Sequence, residues 1–404
     1  MKDILSLFPA EKRQLDTGFF EAFGGQPERY FSAPGRTEVS GNHTDHQRGR
    51  VLAAAVNLDT RAAVRVNGTD VIRIQSKGYP LVEVNINELT PVASEVNTTA
   101  ALVRGVASRF RQLGCRVAGF DAYIESTVLP GSGLSSSAAF EVLIATIINH
   151  VFFAGQVSQP EMAKIGQYAE NVFFGKPCGL MDQMASAVGG LVSIDFADKE
   201  NPVITPVDFD FSQTGYALCI IDSQADHADL TDEYAAIPGE MKAISAYFGK
   251  EVLTQVAEED FYAAIPALRE KCGDRAVMRA IHIFEENRRV PLQVACLQNG
   301  DFETFLRLET ESGQSSWMYL QNVLPTGSVK QQAVSVALAL CKHYLQGRGA
   351  YRVHGGGFAG TVQAFVPNDM VDTFREKIDG TLGAGACHIL SIRPQGGVPM
   401  EEKC

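Results

Sequence analysis

The sequence predicts a folded protein of mixed strands and helices, arranged as two domains that divide near residue 205. Three observations carry this. A chain of 404 residues exceeds one core at about 150 residues per domain and allows two or three. Its 45% hydrophobic and 20% charged residues are the proportions of an ordinary globular protein, which sets aside a collagen, a disordered regulator and a coiled coil. Its apolar pattern alternates strand-like and helix-like pieces up to about residue 200, then turns to long helical repeats.

The elements follow in order. Residues 51–66 are rich in Val, Ala and Leu and run into the turn pair Asn67-Gly68. Residues 71–74 and 81–86 alternate in the manner of half-buried strands. Residues 99–113 have helical spacing and close at Gly114. In 120–126 the alternation returns, with Phe120, Ala122 and Ile124 on one face and Asp121, Tyr123 and Glu125 on the other. After a Gly/Ser stretch, Phe140, Leu143, Ile144, Ile147, Ile148 and Val151 recur at helical spacing. Beyond residue 203 the composition shifts. Residues 216–221 read as a buried strand, and 240–248, 274–287 and 329–346 as helices. Residues 351–366 read as strand, glycine turn and strand, and 369–378 as a last helix. The domains are then 1–205 and 206–404, with the C-terminal segment free to return to the first.

The chain carries 35 basic and 47 acidic residues, a net charge of −12. Such a surface repels phosphate backbones and anionic lipid, which argues against nucleic acid or membrane as partners. No apolar run approaches the ~20 residues of a membrane span. The N-terminal apolar stretch is too short for a secretion signal, and charges follow it at once. Eight scattered cysteines without a C-x-x-C pair suit reduced thiols in a cytoplasmic protein, not a metal cluster or a disulfide framework.

Four segments could carry chemistry. Pro130-Gly131-Ser132-Gly133-Leu134-Ser135-Ser136-Ser137-Ala138-Ala139 lies between a predicted strand and a predicted helix. Its small residues let backbone approach a bulky anion, and the helix start offers free N–H groups. Its hydroxyls can bond phosphate or reach a magnesium ion. No Lys follows the glycines, so it is not a Walker A loop, and a serine-capped helix start is the plainer reading. His354-Gly355-Gly356-Gly357-Phe358-Ala359-Gly360 holds more glycine than a hairpin needs and suits a backbone wrapped around a ligand.

The third segment is Ala33-Pro34-Gly35-Arg36 with Gly41-Asn42-His43-Thr44-Asp45-His46. Its closely spaced donors and acceptors suit a polyhydroxy ligand. His-x-Asp-His also allows a metal, though spacing places no further ligand, and a polar loop with its own turn hydrogen bonds is the plainer account. The fourth sets Glu170 ahead of Gly175-Lys176-Pro177-Cys178-Gly179-Leu180-Met181-Asp182-Gln183. If buried, Asp182 could be a general base or a fixed charge beside a hydroxyl; a helix cap is the simpler alternative.

Taken together and in this order, the segments resemble the GHMP kinases, most closely the galactokinase branch. Residues 33–52, APGRTEVSGNHTDHQRGRVL, resemble its sugar-binding signature, PGSGLSSSAA its phosphate loop, and 355–360 its third motif. GKPCGLMDQ and RAIHIFEENRRV (279–290) match as well, and the likeness runs from about residue 20 to about 367. The resemblance implies an α+β protein of two lobes, with mixed sheets and helices and the active site between them. It implies an ATP-dependent kinase, with Mg2+, acting on the anomeric hydroxyl of galactose or a close relative, as a monomer or weak homodimer.

By motif match Arg36 and Asp182 become the catalytic pair. Asp182 accepts or polarises the hydroxyl proton, and Arg36 stabilises the transferring phosphoryl group. Ser137, or its neighbour Ser136, and Glu170 hold magnesium. Gly131, Ser132, Gly133, Leu134, Ser135, Ser136 and Ser137 take ATP, with Gly356 and Gly357. Asn42, His43, Asp45, Gly179, Asp182 and Tyr234 contact the sugar, Tyr234 being reached from His227 in an H-x6-Y arrangement.

The chain departs from the family pattern in four places. Asn42 stands where the signature has Glu, His46 where it has Tyr, Ala359 where the third motif has Gly, and His354 where it has Thr. The first two bear on the sugar. Asn42 supplies an NH2 donor in place of a charge, and His46 and Arg48 can add positive charge, so galacturonate is an alternative substrate. A catalytically silent sugar sensor is the alternative function.

Overall fold

The computed structural model describes residues 6–128, 133–176, 178–225, 230–358 and 360–402. Gly131, Ser132, His227 and Ala359 lie outside the described residues. The strands of the first sheet are β1 (Ser6–Leu7), β2 (Arg29–Ser40), β3 (Arg50–Val66), β4 (Val71–Ser76), β5 (Val82–Asn85), β6 (Phe120–Ser126), β7 (Leu191–Asp195) and β8 (Val203–Pro206). A second sheet holds β9 (Tyr216–Asp222), β10 (Ala350–His354), β11 (Thr361–Pro367) and β12 (Cys387–Leu390), in the order β10-β11-β9-β12. The chain then crosses back: β13 (Val398–Glu402) enters the first sheet between β1 and β2, with Val398 opposite Ser32.

β2 and β3 form the spine. Arg29–Pro34 pair with one stretch of β3 and Arg36–Ser40 with another, with register shifts at Pro34/Arg36 and Glu38/Ser40. Pro34 has no N–H to give a ladder, so an irregularity there is expected. It re-aims the strand just before Arg36.

Eleven helices occur among the described residues. α1 (Pro9–Phe23) covers one face of the first sheet through Leu15 and Phe19, against Tyr30, Ala63 and Tyr123. α2 (Thr99–Gln112), α3 (Ser136–Phe152), α4 (Gln159–Tyr168) and α5 (Met181–Val188) bury the opposite face, where Ala62, Val64, Phe120, Ala122 and Ile124 point. This corrects the expectation of a half-buried β6. Its polar face is covered too, with the Tyr123 ring against Gly18 of α1 and Asp121 fully buried. Two hydrogen bonds from Arg73, at 2.7 and 2.8 Å, and one from Asn67 hold Asp121 in place.

α6 (Thr231–Tyr247), α7 (Glu258–Cys272) and α8 (Asp274–Gln298) share a core of their own, while α9 (Phe302–Ser315) packs on β10. α10 (Ala333–Leu345) and α11 (Val371–Leu382) pack on the second sheet. α6 starts well before residue 240 and α8 runs well past 287, because each carries a proline, Pro238 and Pro291, that interrupts the sequence pattern but not the helix. α10 starts at Ala333, after a Gln332 N-cap, and not at 329. Leu52, Ala54, Leu134 and Ala139 meet Leu218, Ile220, Val290 and Phe365 in one apolar cluster. The start of α3 is thereby fixed at the seam between the two sheets.

Candidate active site

Arg36 stands at that seam, and the first turns of α3 and α5 come up beside it. Its guanidinium grips Asp182 with two prongs, Nε to Oδ1 at 2.7 Å and Nη2 to Oδ2 at 2.8 Å. Nη1 donates to the Gly133 carbonyl, and the Arg36 backbone N–H donates to Leu134 O at 3.0 Å. Strand and Gly/Ser loop are thus tied twice. Asp182 lies in the first turn of α5, where the helix dipole favours a carboxylate, and not in a loop. Its side chain keeps 31% exposure, which leaves the pair open to a ligand. Loss of water would push the carboxyl up, but the charge and hydrogen bonds of Arg36, then the Ser135 hydroxyl, hold it below the usual carboxylate range. Such a group stays ionised at neutral pH and is a weak base.

Ser135 does not cap its helix. It adopts a left-handed conformation (φ 58°), and its Oγ donates to Asp182 Oδ2 at 2.6 Å. A non-glycine residue there is strained by about 1–2 kcal/mol, and the serine is diverted from the capping role it would ordinarily fill. α3 therefore opens without a side-chain cap from its N-cap residue, the arrangement that suits an anion at a helix start. Gly133 is left-handed as well (φ 70°), and a Cβ there would collide with Thr361 Oγ1 and crowd His354 Nδ1. Ser136 and Ser137 are half-buried beside it, and Leu134 is anchored in the seam.

His354 accepts the Glu38 backbone N–H on Nε2 at 3.1 Å, so its own proton sits on Nδ1, 3.0 Å from Thr361 Oγ1. It is a bridge between β10 and β2. Burial, then the charges of Arg36 and Arg352, keep it neutral, far below the ordinary histidine range.

The loop after β2 differs from expectation at Asn42. The side chain is fully buried, with Nδ2 donating to Glu38 Oε1 at 2.9 Å and Gly355 O at 2.6 Å, and Oδ1 accepting from Asn322 Nδ2 at 2.9 Å. Both amide hydrogens are occupied inside the protein, so Asn42 has no donor left for a sugar. Arg48 pairs with Glu251 at 2.6 Å, which takes up its charge. His43 donates Nε2–H to Gly356 O at 3.1 Å, and burial, then His46, lower its pKa to about 3, so Nδ1 is a free acceptor. Asp45 lies against Gly179, where any Cβ would collide with Asp45 Oδ2.

Tyr234 donates its hydroxyl to Gly357 O at 2.9 Å, and its ring lies on Gly356 and Phe358. The tight backbone of the glycine turn thus serves Tyr234 and Asn322, whose carbonyl would clash with a Cβ at Gly357. Among the described residues, the flanks of the turn, His354 and Thr361, lie against Gly133 of the Gly/Ser loop.

Behind Asp182, Gln183 Nε2 donates to Glu141 Oε2 and to Glu170 Oε2, each at 2.9 Å. Glu170 sits on a wide turn ending α4 (Ala169–Phe174) and is not a helix cap. Glu141 Oε1 and Gln183 Oε1 are sealed without a hydrogen-bond partner. Burial first, then the Glu170 charge, push the Glu141 carboxyl well up; burial pushes Glu170 up too, opposed by the Cys178 thiol and then by Lys176. Among the described residues no three His, Cys, Asp or Glu converge as a metal cage. The Glu170 carboxylate and the Ser137 hydroxyl nevertheless offer oxygen donors of the kind magnesium takes, an ion that uses one or two carboxylates and draws the rest from phosphate and water.

The segment RAIHIFEENRRV (279–290) holds none of the site residues that the motifs imply. In the structure it is the rack on which the loop hangs. His282 Nε2 donates to Asn42 O at 3.1 Å, Glu286 Oε1 accepts from Gly41 N at 3.1 Å, and Asn287 Oδ1 accepts from Arg50 N at 2.8 Å. His282, Glu286 and Asn287, polar residues at i, i+4 and i+5 beside the apolar Ile283 and Val290, were the available signal.

Residues 101–190 match the family of the GHMP kinases N terminal domain, and residues 17–66 match the galactokinase galactose-binding signature. The galactokinase of Streptomyces coelicolor is 30% identical over 370 residues, 91% of this chain and 92% of that one. This chain belongs to the galactokinase family. The galactokinase of Glaesserella parasuis is likewise 30% identical, over 90% of this chain and 91% of its own. Among solved structures, the Lactococcus lactis galactokinase complexed with galactose superposes with a TM-score of 0.82 at 23% identity, covering 96% of this chain and 99% of that one. The Methanococcus jannaschii mevalonate kinase gives 0.63 at 13% identity over 91% and 99%. These two place the chain in the two-lobed GHMP kinase fold. Membership of the galactokinase family makes it a sugar kinase that draws its phosphoryl group from ATP.

Proposed function

We propose that the protein transfers the γ-phosphoryl group of ATP to the anomeric hydroxyl of galactose, giving galactose 1-phosphate and ADP. The observation that carries this is the Arg36–Asp182 clamp, tied to the phosphate loop by Gly133 and Ser135 and set three residues from Gly179, which Asp45 touches. The anomeric oxygen bonds to phosphorus as phosphorus parts from the β,γ-bridging oxygen, which leaves on ADP. Because Arg36 and Ser135 hold Asp182 ionised, it first orients and polarises the hydroxyl, then takes the proton once transfer has acidified it. Arg36 stabilises the charge on the moving phosphoryl group. Gly133–Ser137 receive the phosphates, and His43, Asp45 and Gly179 receive the sugar. Glu170 and Ser137 would hold magnesium, which when bound offsets the charge of the β- and γ-phosphates.

The two lobes divide near residue 205, where the chain leaves the first sheet, with β13 returning to it. The described cysteines are all free thiols, and no described helix is long and apolar enough to cross a membrane. We place the enzyme in the cytoplasm, as a monomer or weak homodimer without a nucleic-acid partner.

The galacturonate alternative rests on Asn42 and on positive charge from His46 and Arg48. Asn42 is engaged within the protein and Arg48 with Glu251, so galactose is the reading retained. A silent sensor would be expected to lack part of the catalytic set, yet Arg36, Asp182 and Ser135 are joined. A coupled ADP-release assay over a panel of hexoses and hexuronic acids tests the reading. Turnover with galactose supports it; sugar binding without turnover of any sugar favours the sensor.

A further inference from the structure

The family signature carries an acid at position 42, and here that position is an amide buried against another acid, Glu38. Arg36 and Glu38 lie two apart on β2, opposite Ala55 and Ala53 in one unbroken stretch of register, so both side chains leave the same face of the strand. That face carries Arg36 to Asp182. The Glu38 carboxyl uses one oxygen for all its protein contacts: Oε1 accepts from Asn42 Nδ2 at 2.9 Å and from Arg352 Nη1 and Nη2 at 3.1 Å each. Oε2 takes no hydrogen bond from any described residue. The side chain is 3% exposed, but Oε2 is not among the buried oxygens without a partner, as those of Glu141 and Gln183 are. Glu38 also lies within the fields of both Arg36 and Asp45, the residues read as facing the phosphoryl group and the sugar.

Building on the sugar-kinase reading, we infer that Glu38 is the specificity-determining acid of the sugar site, its Oε2 accepting a hydrogen bond from a sugar hydroxyl and rejecting a sugar carboxylate. Arg352 and Asn42 fix the carboxyl by its other oxygen, so Oε2 is presented in one orientation. Asn42 is then a positioning residue. The pair at 38 and 42 sets the enzyme toward neutral hexoses and against hexuronic acids.

The test is Glu38→Gln. The amide can keep an oxygen toward Arg352 and Asn42 while putting an NH2 donor where Oε2 stood. Steady-state kinetics and calorimetric binding are measured for galactose and galacturonate. The expected result is weaker galactose affinity by about 10- to 100-fold, read in KM more than in kcat, as for a lost bond to a charged group. Galacturonate affinity rises, so the galactose-to-galacturonate ratio falls by more than the loss on galactose alone. An unchanged ratio, with both sugars weakened alike, would assign Glu38 a purely structural role and overturn the inference. If the Gln variant does not fold, Glu38→Asp decides. It keeps the charge but withdraws the oxygen by one methylene, so galactose affinity falls while galacturonate stays rejected, and unchanged galactose affinity overturns the inference. Calorimetry keeps the two claims apart. Native protein that binds galactose through Glu38 but transfers no phosphoryl group sinks the kinase reading and leaves this one standing.

Discussion

Replacing Glu286 by Gln removes the charge from the centre of the α8 rack. The carboxyl is fully buried, with Oε1 accepting from Gly41 N at 3.1 Å, Ser40 Oγ at 3.2 Å and Ser312 Oγ at 2.8 Å, and Oε2 accepting from Arg289. Burial alone would raise its pKa, but the charge of Arg289 leads a set of partners that bring it from 4.5 down to about 2. At about 1.4 kcal/mol per pH unit, that drop is worth roughly 3 kcal/mol. Because the folded-state value is depressed, the contribution is full above pH 4.5 and is lost as the pH falls toward 2. The Gln variant keeps an acceptor for Gly41 but leaves Arg289 only the more distant Glu285, at 3.6 Å, as counter-charge, so a loss of about 3 kcal/mol at pH 7 is expected, in line with other broken buried pairs. Urea unfolding reads the stability, and galactose KM, expected to rise, reads the loop. A loss below about 1 kcal/mol at pH 7 with unchanged KM would refute the claim that this charge shapes the loop.

Other consequences are equally specific. Asp182→Asn should lower kcat by about 10²–10⁴ while ATP binding, measured by calorimetry, persists; near-normal kcat would leave Asp182 only a placing role. Gly179→Ala would drive a methyl into Asp45 Oδ2 and should raise galactose KM by about tenfold or more with little change for ATP. His282 and His354 are buried and His43 is half-buried, all with pKa values below the ordinary 6.5 chiefly through loss of water, so unfolding takes up protons. Their contribution is therefore full above pH 6.5 and lost as the pH drops below it, while Glu309, raised by burial to about 8, works in the opposite sense; His282→Gln should lessen the relative loss of urea midpoint on going from pH 7.5 to 5.5, and an unchanged pH dependence would contradict this.

Much of this was legible in the sequence because motif and local chemistry coincide. The Gly/Ser loop between β6 and α3 announces itself by composition, and the Arg36 and Asp182 segments by order along the chain. What was hidden depends on partners far away. β6 reads as half-exposed because nothing local says that α1 will lie on Asp121 and Tyr123. Ser135 reads as a cap because its real partner, Asp182, is 47 residues on. Asn42 reads as a sugar contact because its amide is claimed by Glu38 and by Gly355, which only the fold brings near. The role of α8 was missed for the same reason: the polar side chains were visible, but the loop they hold lies some 240 residues earlier.

The most direct test of the account is to incubate the native protein with ATP, magnesium and galactose and follow the product by 31P NMR beside ADP release. The account predicts stoichiometric ADP and a phosphomonoester on the anomeric carbon, with Asp182→Asn forming it orders of magnitude more slowly. ADP release without a sugar phosphate, or a phosphate on any other carbon of galactose, would contradict it.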